Sequence, residues 1–140
     1  MTTRSADHTT FAVERTYPAP HSKAFAAWAS AGAKAAWFFG PRGKWTQLGR
    51  RCDFRVGGAE HVSGHLTDGP VTKYDAVYRD IVPNERLALV HHMHLDDRKI
   101  SVSLATVEFR AAGKGTKMTH TEQAVFLDGY ADGGFACTPC

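Results

Sequence analysis

The sequence predicts an α+β domain of one strand, two short helices and six further strands joined as an antiparallel meander. Three observations predict it. Apolar and polar residues alternate in runs of strand length from residue 44 to residue 127. The breaks between these runs are a few residues long, too short for the crossover that a parallel pair requires. The two runs with helical spacing fall together, directly after the first strand. The expected organisation is a polar lead-in over 1–10, the domain over 11–127 and an irregular glycine-rich tail over 128–140.

The first strand runs from Phe11 to Tyr17 and puts Phe11, Val13 and Tyr17 on one face. Pro18 and Pro20 end it, and Pro20 suits the first turn of a helix over His21–Ala29. There Ala24, Phe25, Trp28 and Ala29 recur at spacings of three and four, so Phe25 and Trp28 should pack under the sheet. Ser30 and Gly32 stop that helix. A second spans Ala33–Phe38, closed by Trp37 and stopped by Gly40-Pro41. Lys44 to Arg55 leads into a hairpin at Gly57-Gly58, and Ala59 to Leu66 returns from it. The later strands are Lys73–Val82, Arg86–His94, Ile100–Arg110 and Thr116–Phe126, divided by Pro83-Asn84, Asp96-Asp97 and Gly113–Gly115. Beyond Leu127 the residues Gly129, Gly133, Gly134 and Pro139 oppose a helix, at about 1 kcal/mol per glycine and about 3 for an interior proline.

Of the 140 residues, 43% are hydrophobic and 22% charged, which is ordinary for a globular domain. The formal charge of +3 mixes both signs with no basic stripe, so no nucleic-acid partner is expected. No run approaches the roughly 18 apolar residues of a membrane span, and the polar start lacks a signal peptide, so no membrane partner and a cytoplasmic location are expected. Three cysteines make no disulfide framework. Cys52 reads as a small hydrophobe in a strand, and Cys137-Thr-Pro-Cys140 lacks the following helix that would activate a thiolate. G-x-S-x-G, a phosphate-cradling glycine loop and H-E-x-x-H are all missing, which disfavours standard hydrolases, NTPases and dinucleotide enzymes.

Several local motifs then occur in a fixed order: Tyr17-Pro-Ala-Pro20 with Phe25 and Trp28, Trp37-Phe-Phe-Gly-Pro41, Phe54-Arg-Val-Gly-Gly58, Asp80-Ile-Val-Pro-Asn-Glu-Arg-Leu87, Ser103-Leu-Ala-Thr-Val-Glu-Phe109 and Gly115-Thr-Lys-Met-Thr-His-Thr-Glu122. In this order they resemble the heat-shock-protein-90 ATPase activator C-terminal-domain-like branch of the START/SRPBCC superfamily, over roughly residues 11 to 130. The resemblance implies a helix-grip fold, in which a curved antiparallel sheet of about seven strands wraps a long C-terminal helix over an apolar cavity. The sequence departs from that pattern after Leu127, where the family's long helix is missing or truncated. The additional N-terminal domain of the eukaryotic activators has no room ahead of the first strand.

The histidines need separate attention, because eight occur in the chain and most fall on predicted strands. His61/His65 and His92/His94 each put two imidazoles on one strand face, which is half of a zinc site, so no metal or other cofactor is expected. Met118, His120 and Glu122 alternate on one face of the last strand, and the Leu87/Leu89 face of an earlier strand continues to His91 and Met93. Tyr74 and Tyr78 share a strand face, and an imidazole beside a carboxylate permits acid/base chemistry. The candidate ligand-binding set is therefore Trp37, Tyr74, Tyr78, His91, Met93, Met118, His120 and Glu122, with no catalytic residue assigned. The expected function is non-catalytic binding of a small hydrophobic or aromatic ligand, linked to stress. The alternatives are a cyclase- or hydrolase-like cavity enzyme using His120, Glu122 and His91, and a chaperone-interaction module. A homodimer is expected through an exposed apolar face of Phe11, Val13, Leu87, Leu89, Val107, Phe109 and Met118.

Overall fold

The alternating runs form seven strands: β1 (Ala6–Tyr17), β2 (Trp45–Cys52), β3 (Ala59–Leu66), β4 (Val71–Val82), β5 (Arg86–Leu95), β6 (Arg98–Ala112) and β7 (Gly115–Leu127). In the computed structural model, which describes residues 4–35, 37–38 and 43–129, they make one sheet in the order β1-β7-β6-β5-β4-β3-β2. Every pairing is antiparallel, and all but β1 with β7 join strands consecutive in sequence. Between β1 and β2 lie α1 (His21–Ala29) and α2 (Ala31–Ala35). The predicted class and element order are those observed. The strand turns use residues that tolerate left-handed backbone: Asn84 follows β4, Asp96 follows β5 and Gly113 follows β6, each at positive φ.

Two boundaries differ from expectation. β1 begins at Ala6 rather than Phe11, so residues 6–10 belong to the sheet and not to a lead-in. Their side chains are exposed and follow no clear alternation, but the backbone pairs in register with β7, from Ala6 opposite Leu127 onward. Hydrogen bonding to a long partner, invisible in side-chain periodicity, extends the strand. The second helix is Ala31–Ala35, earlier than Ala33–Phe38, because the Ser30 hydroxyl accepts the N–H of Ala33 at 3.3 Å and starts the turn there. Trp37 and Phe38 follow in a turn whose N–H groups both bond to the Lys34 carbonyl. The expected stop at Gly40-Pro41, the tail over 130–140 and the Cys137/Cys140 pair lie outside the described residues.

One face of the sheet carries the core. Phe25 and Trp28 of α1 are buried against Leu87, Val107, Phe109 and Met118, as their helical spacing predicted. A second cluster gathers Phe38, Tyr74, Tyr78, Leu89, Met93 and Ile100, and Trp37, Phe54 and Ile81 pack against both. On β3, a Cβ at Gly64 would lie 2.1 Å from the Trp45 indole, so only glycine lets that ring cross from β2 to bond Thr72. The apolar face expected to drive self-association is largely covered. Leu87, Leu89, Val107, Phe109 and Met118 are buried beneath α1 and the aromatic residues around it, which leaves Phe11 and Val13 half-buried near the sheet edge. Among the described residues no helix is long and apolar enough to cross a membrane.

Candidate functional site

Strict alternation on β7 buries Met118, His120 and Glu122 on the helix-bearing face and leaves Thr119 and Thr121 half-buried on the other. β5 does the same for Leu87, Leu89, His91 and Met93. His91 and Glu122 come from strands separated by β6, whose residues at this level are Ser103, opposite His91, and Ala105, opposite Glu122. Both side chains are short enough for the imidazole and carboxylate to meet over them. His91 Nε2 lies 2.8 Å from Glu122 Oε1, and His120 Nε2 lies 3.6 Å from the same oxygen, just beyond hydrogen-bond length.

Glu122 is 1% exposed. Burial alone would push its carboxyl pKa up, but the two imidazoles more than offset this and hold it at about 2. The carboxylate therefore stays ionised. When His91 donates through Nε2, its Nδ1 lone pair becomes an acceptor, and that atom is buried with no hydrogen-bond partner among the described residues. The Tyr74 ring lies against His91 at 5.1 Å, and Trp28 meets His120 edge-on at 5.8 Å.

A second buried cluster escaped the sequence reading. Glu60 Oε1 accepts hydrogen bonds from Lys34 Nζ at 2.6 Å and from the Tyr78 hydroxyl at 2.8 Å. Lys34 and Glu60 are each 2% exposed, and the ammonium also sits 4.7 Å from the Phe38 ring centre. Burial and the neighbouring Glu60 push the Tyr78 phenol pKa well up, so the hydroxyl remains a donor. Burial likewise raises the Cys52 thiol, 3.9 Å from that hydroxyl, in keeping with a structural role for the cysteine. Glu60 alternates with the buried Val62, and that period was the available signal.

An apolar cleft of about 320 Å³ opens beside α1. It is lined by Tyr17, Ala24, Ala27, Trp28, Trp37 and Met118, with Lys23 supplying a charge. Alanines at two α1 positions leave the space, and the Trp37 indole is fixed by donating to the Ala27 carbonyl at 2.9 Å. Trp28 and Trp37 meet edge-to-face at 4.8 Å. Of the residues expected to contact a ligand, Trp37 and Met118 line this cleft, while Tyr74, Tyr78, His91, Met93, His120 and Glu122 do not. Those six are buried, with Trp28 edge-on to His120, Phe38 against Tyr74 and Phe54 against Tyr78, a depth that strand periodicity does not reveal.

The histidine pairs sit on the opposite face. His61 Nδ1 lies 2.6 Å from Asp75 Oδ1, and His92 Nε2 lies 3.9 Å from Asp75 Oδ2. Burial and Lys99 hold the His92 pKa below its usual value. The His92 and His94 rings are 5.3 Å apart, and ligand atoms of Asp75, His92 and His94 come within 4.8 Å of one another. His65 instead engages the Leu66 carbonyl at 3.2 Å, apart from this group.

Comparison with known proteins gives this geometry a context. The family model described as "Activator of Hsp90 ATPase homolog 1-like protein" matches residues 18–136. A solved structure of an uncharacterised protein from Rhizobium leguminosarum is 49% identical, with a TM-score of 0.88 over 95% of this chain and 87% of that one. The Mll3558 protein of Rhizobium loti is 36% identical, with a TM-score of 0.84 over 92% of this chain and 87% of that one. Protein CV1439 of Chromobacterium violaceum, at 22% identity and a TM-score of 0.69 over 84% of this chain and 80% of that one, shares the fold. No curated protein matches significantly.

Proposed function

The chain belongs to the family of activator of Hsp90 ATPase homolog 1-like proteins, and on that premise we propose that it is a non-catalytic binder of a small hydrophobic or aromatic ligand. The observation that carries this reading is the cleft beside α1. Its size suits a small molecule, its lining is apolar, and the paired indoles of Trp28 and Trp37 offer ring edges and faces to an aromatic guest. Lys23 favours a ligand with an anionic group at one end. The protein acts in the cytoplasm as a stress-linked accessory.

Titration with 1-anilinonaphthalene-8-sulfonate, an aromatic anion, tests the reading. Saturable binding with a change in tryptophan emission is expected from a cooperatively melting protein. Ala24→Phe fills the cleft and should abolish that binding without abolishing the melt. A wild-type protein that does not saturate, or an Ala24→Phe variant that binds as well, overturns the reading. Native mass spectrometry of protein from its own host would identify a ligand that co-purifies.

A second reading, a cavity enzyme, draws on the convergence of His91, His120 and Glu122, with an ionised carboxylate facing His91 Nε2 while His91 Nδ1 has no partner among the described residues. Any turnover found should then vanish in Glu122→Gln while probe binding survives. Turnover that persists in that variant removes the cluster from catalysis. Self-association would use the half-buried Phe11 and Val13 row. Light scattering that gives a monomer at every concentration rules it out.

A further inference from the structure

We propose that the outward face of β4 and β5 holds a site for a borderline divalent cation such as Zn2+, with His92, His94 and Asp75 as its ligands and His61 as the residue that positions Asp75. Antiparallel pairing sets His61 opposite Asp75 and Asp75 opposite His92, so three adjacent strands present a row of imidazole, carboxylate and imidazole on one face. Alternation then adds His94 on the same strand face as His92. Sequence alone supplied two ligands on β5, and the third comes from β4 through a pairing that spacing along the chain does not encode.

The distances fit. One ligand atom from each of Asp75, His92 and His94 lies within 4.8 Å of the others. Ligands of a tetrahedral zinc at about 2.0–2.1 Å stand roughly 3.3 Å apart. Side-chain rotation closes that difference without moving the sheet. Asp75 is already divided between two tasks: Oδ1 engages His61 at 2.6 Å, and Oδ2 faces His92 at 3.9 Å. A carboxylate held through one oxygen by an outer imidazole, with the other free for the ion, is the support that metal ligands commonly have. Two imidazoles and a carboxylate suit zinc, nickel or copper and leave at least one position to water. The three residues are half-buried, so a hydrated ion reaches them from solvent.

Two cations oppose the site. Lys73 stands directly opposite His94 on β4, and Lys99 stands opposite it on β6. They should weaken a dication held there, so removing either lysine should tighten binding at this site.

The test is calorimetric titration of ZnCl2 into the full chain carrying Cys137→Ser and Cys140→Ser, so that tail thiols do not compete. One equivalent should bind. His92→Ala and His94→Ala should each remove that binding, His61→Ala should weaken it by about tenfold or more, and Lys99→Ala should tighten it. Far-UV circular dichroism checks that each variant is folded, and the conservative His94→Asn, which should lose the zinc-dependent rise in melting temperature, covers the case in which an alanine variant does not fold. With Cu2+ in place of zinc, electron paramagnetic resonance should show two imidazole nitrogens. The absence of saturable zinc binding, affinity unchanged in His92→Ala or His94→Asn, or a spectrum without imidazole nitrogen would each overturn the proposal.

Discussion

His91 and His92 are neighbours in sequence and face opposite sides of one sheet, each toward a carboxylate on another strand. On the inner side, Glu122 and two imidazoles are closed off from water, and the carboxyl pKa falls to about 2. On the outer side, Asp75 and its histidines are half-exposed, and the charges there are screened by solvent. The same residue types therefore do different work. Inside, removing one partner strands a buried charge or dipole. Outside, each group can exchange its partner for water or for an ion at little cost.

Four measurements break or sharpen that contrast. Glu122→Ala should destabilise most, by about 3–5 kcal/mol, because two buried imidazoles lose the carboxylate they face; a urea midpoint close to wild type would mean that water already reaches the inner cluster. Trp28→Ala should cost about 3–4 kcal/mol, the lower part of the range for a large aromatic, since one side of this ring already borders the cleft. It should also wet His120 from the cleft and make the inner cluster more like the outer one.

The third measurement is the dependence of stability on pH. Glu122 has a folded pKa of about 2 against an ordinary 4.5, so its contribution is present above pH 4.5 and is lost as the pH falls from there toward 2. Chemical denaturation at pH 6 and pH 3 should show a loss in the wild type that is smaller in Glu122→Gln, and equal losses would remove Glu122 as a source. Asp75→Asn should have the smallest effect, within about 1 kcal/mol in metal-free buffer. A larger loss would show that the outer cluster supports the fold.

Side-chain period carried much of the architecture and half of each cluster. The face of β7 from Met118 to Glu122, and the continuation of the Leu87/Leu89 face to His91, follow from alternation and were legible. That His91 and Glu122 meet depends on Ser103 and Ala105 being small at the crossing, which requires the register of β6 against both neighbours. The partnership of Asp75 with His61 and His92 is likewise a matter of register. Lys34 and Glu60 were missed for a different reason: a lysine on a short helix and a glutamate on a strand look solvated until the aromatic residues around them are placed. The start of β1 was illegible because its first residues are held by backbone pairing alone.

The pairing of β1 with β7 also has a consequence in time. Ser5 donates its N–H to Asp128 at 3.1 Å across 123 positions of sequence, and Arg4 holds the same carboxylate. Of the seven strands of this sheet, the one synthesised earliest thus has its hydrogen-bonding partner in the one synthesised latest. The meander from β2 to β7 can zip up hairpin by hairpin as it emerges, whereas β1 must wait, with the row of Phe11 and Val13 unpaired, until β7 is complete. During that interval the nascent chain carries an open strand edge, the kind of exposed template that invites pairing between chains.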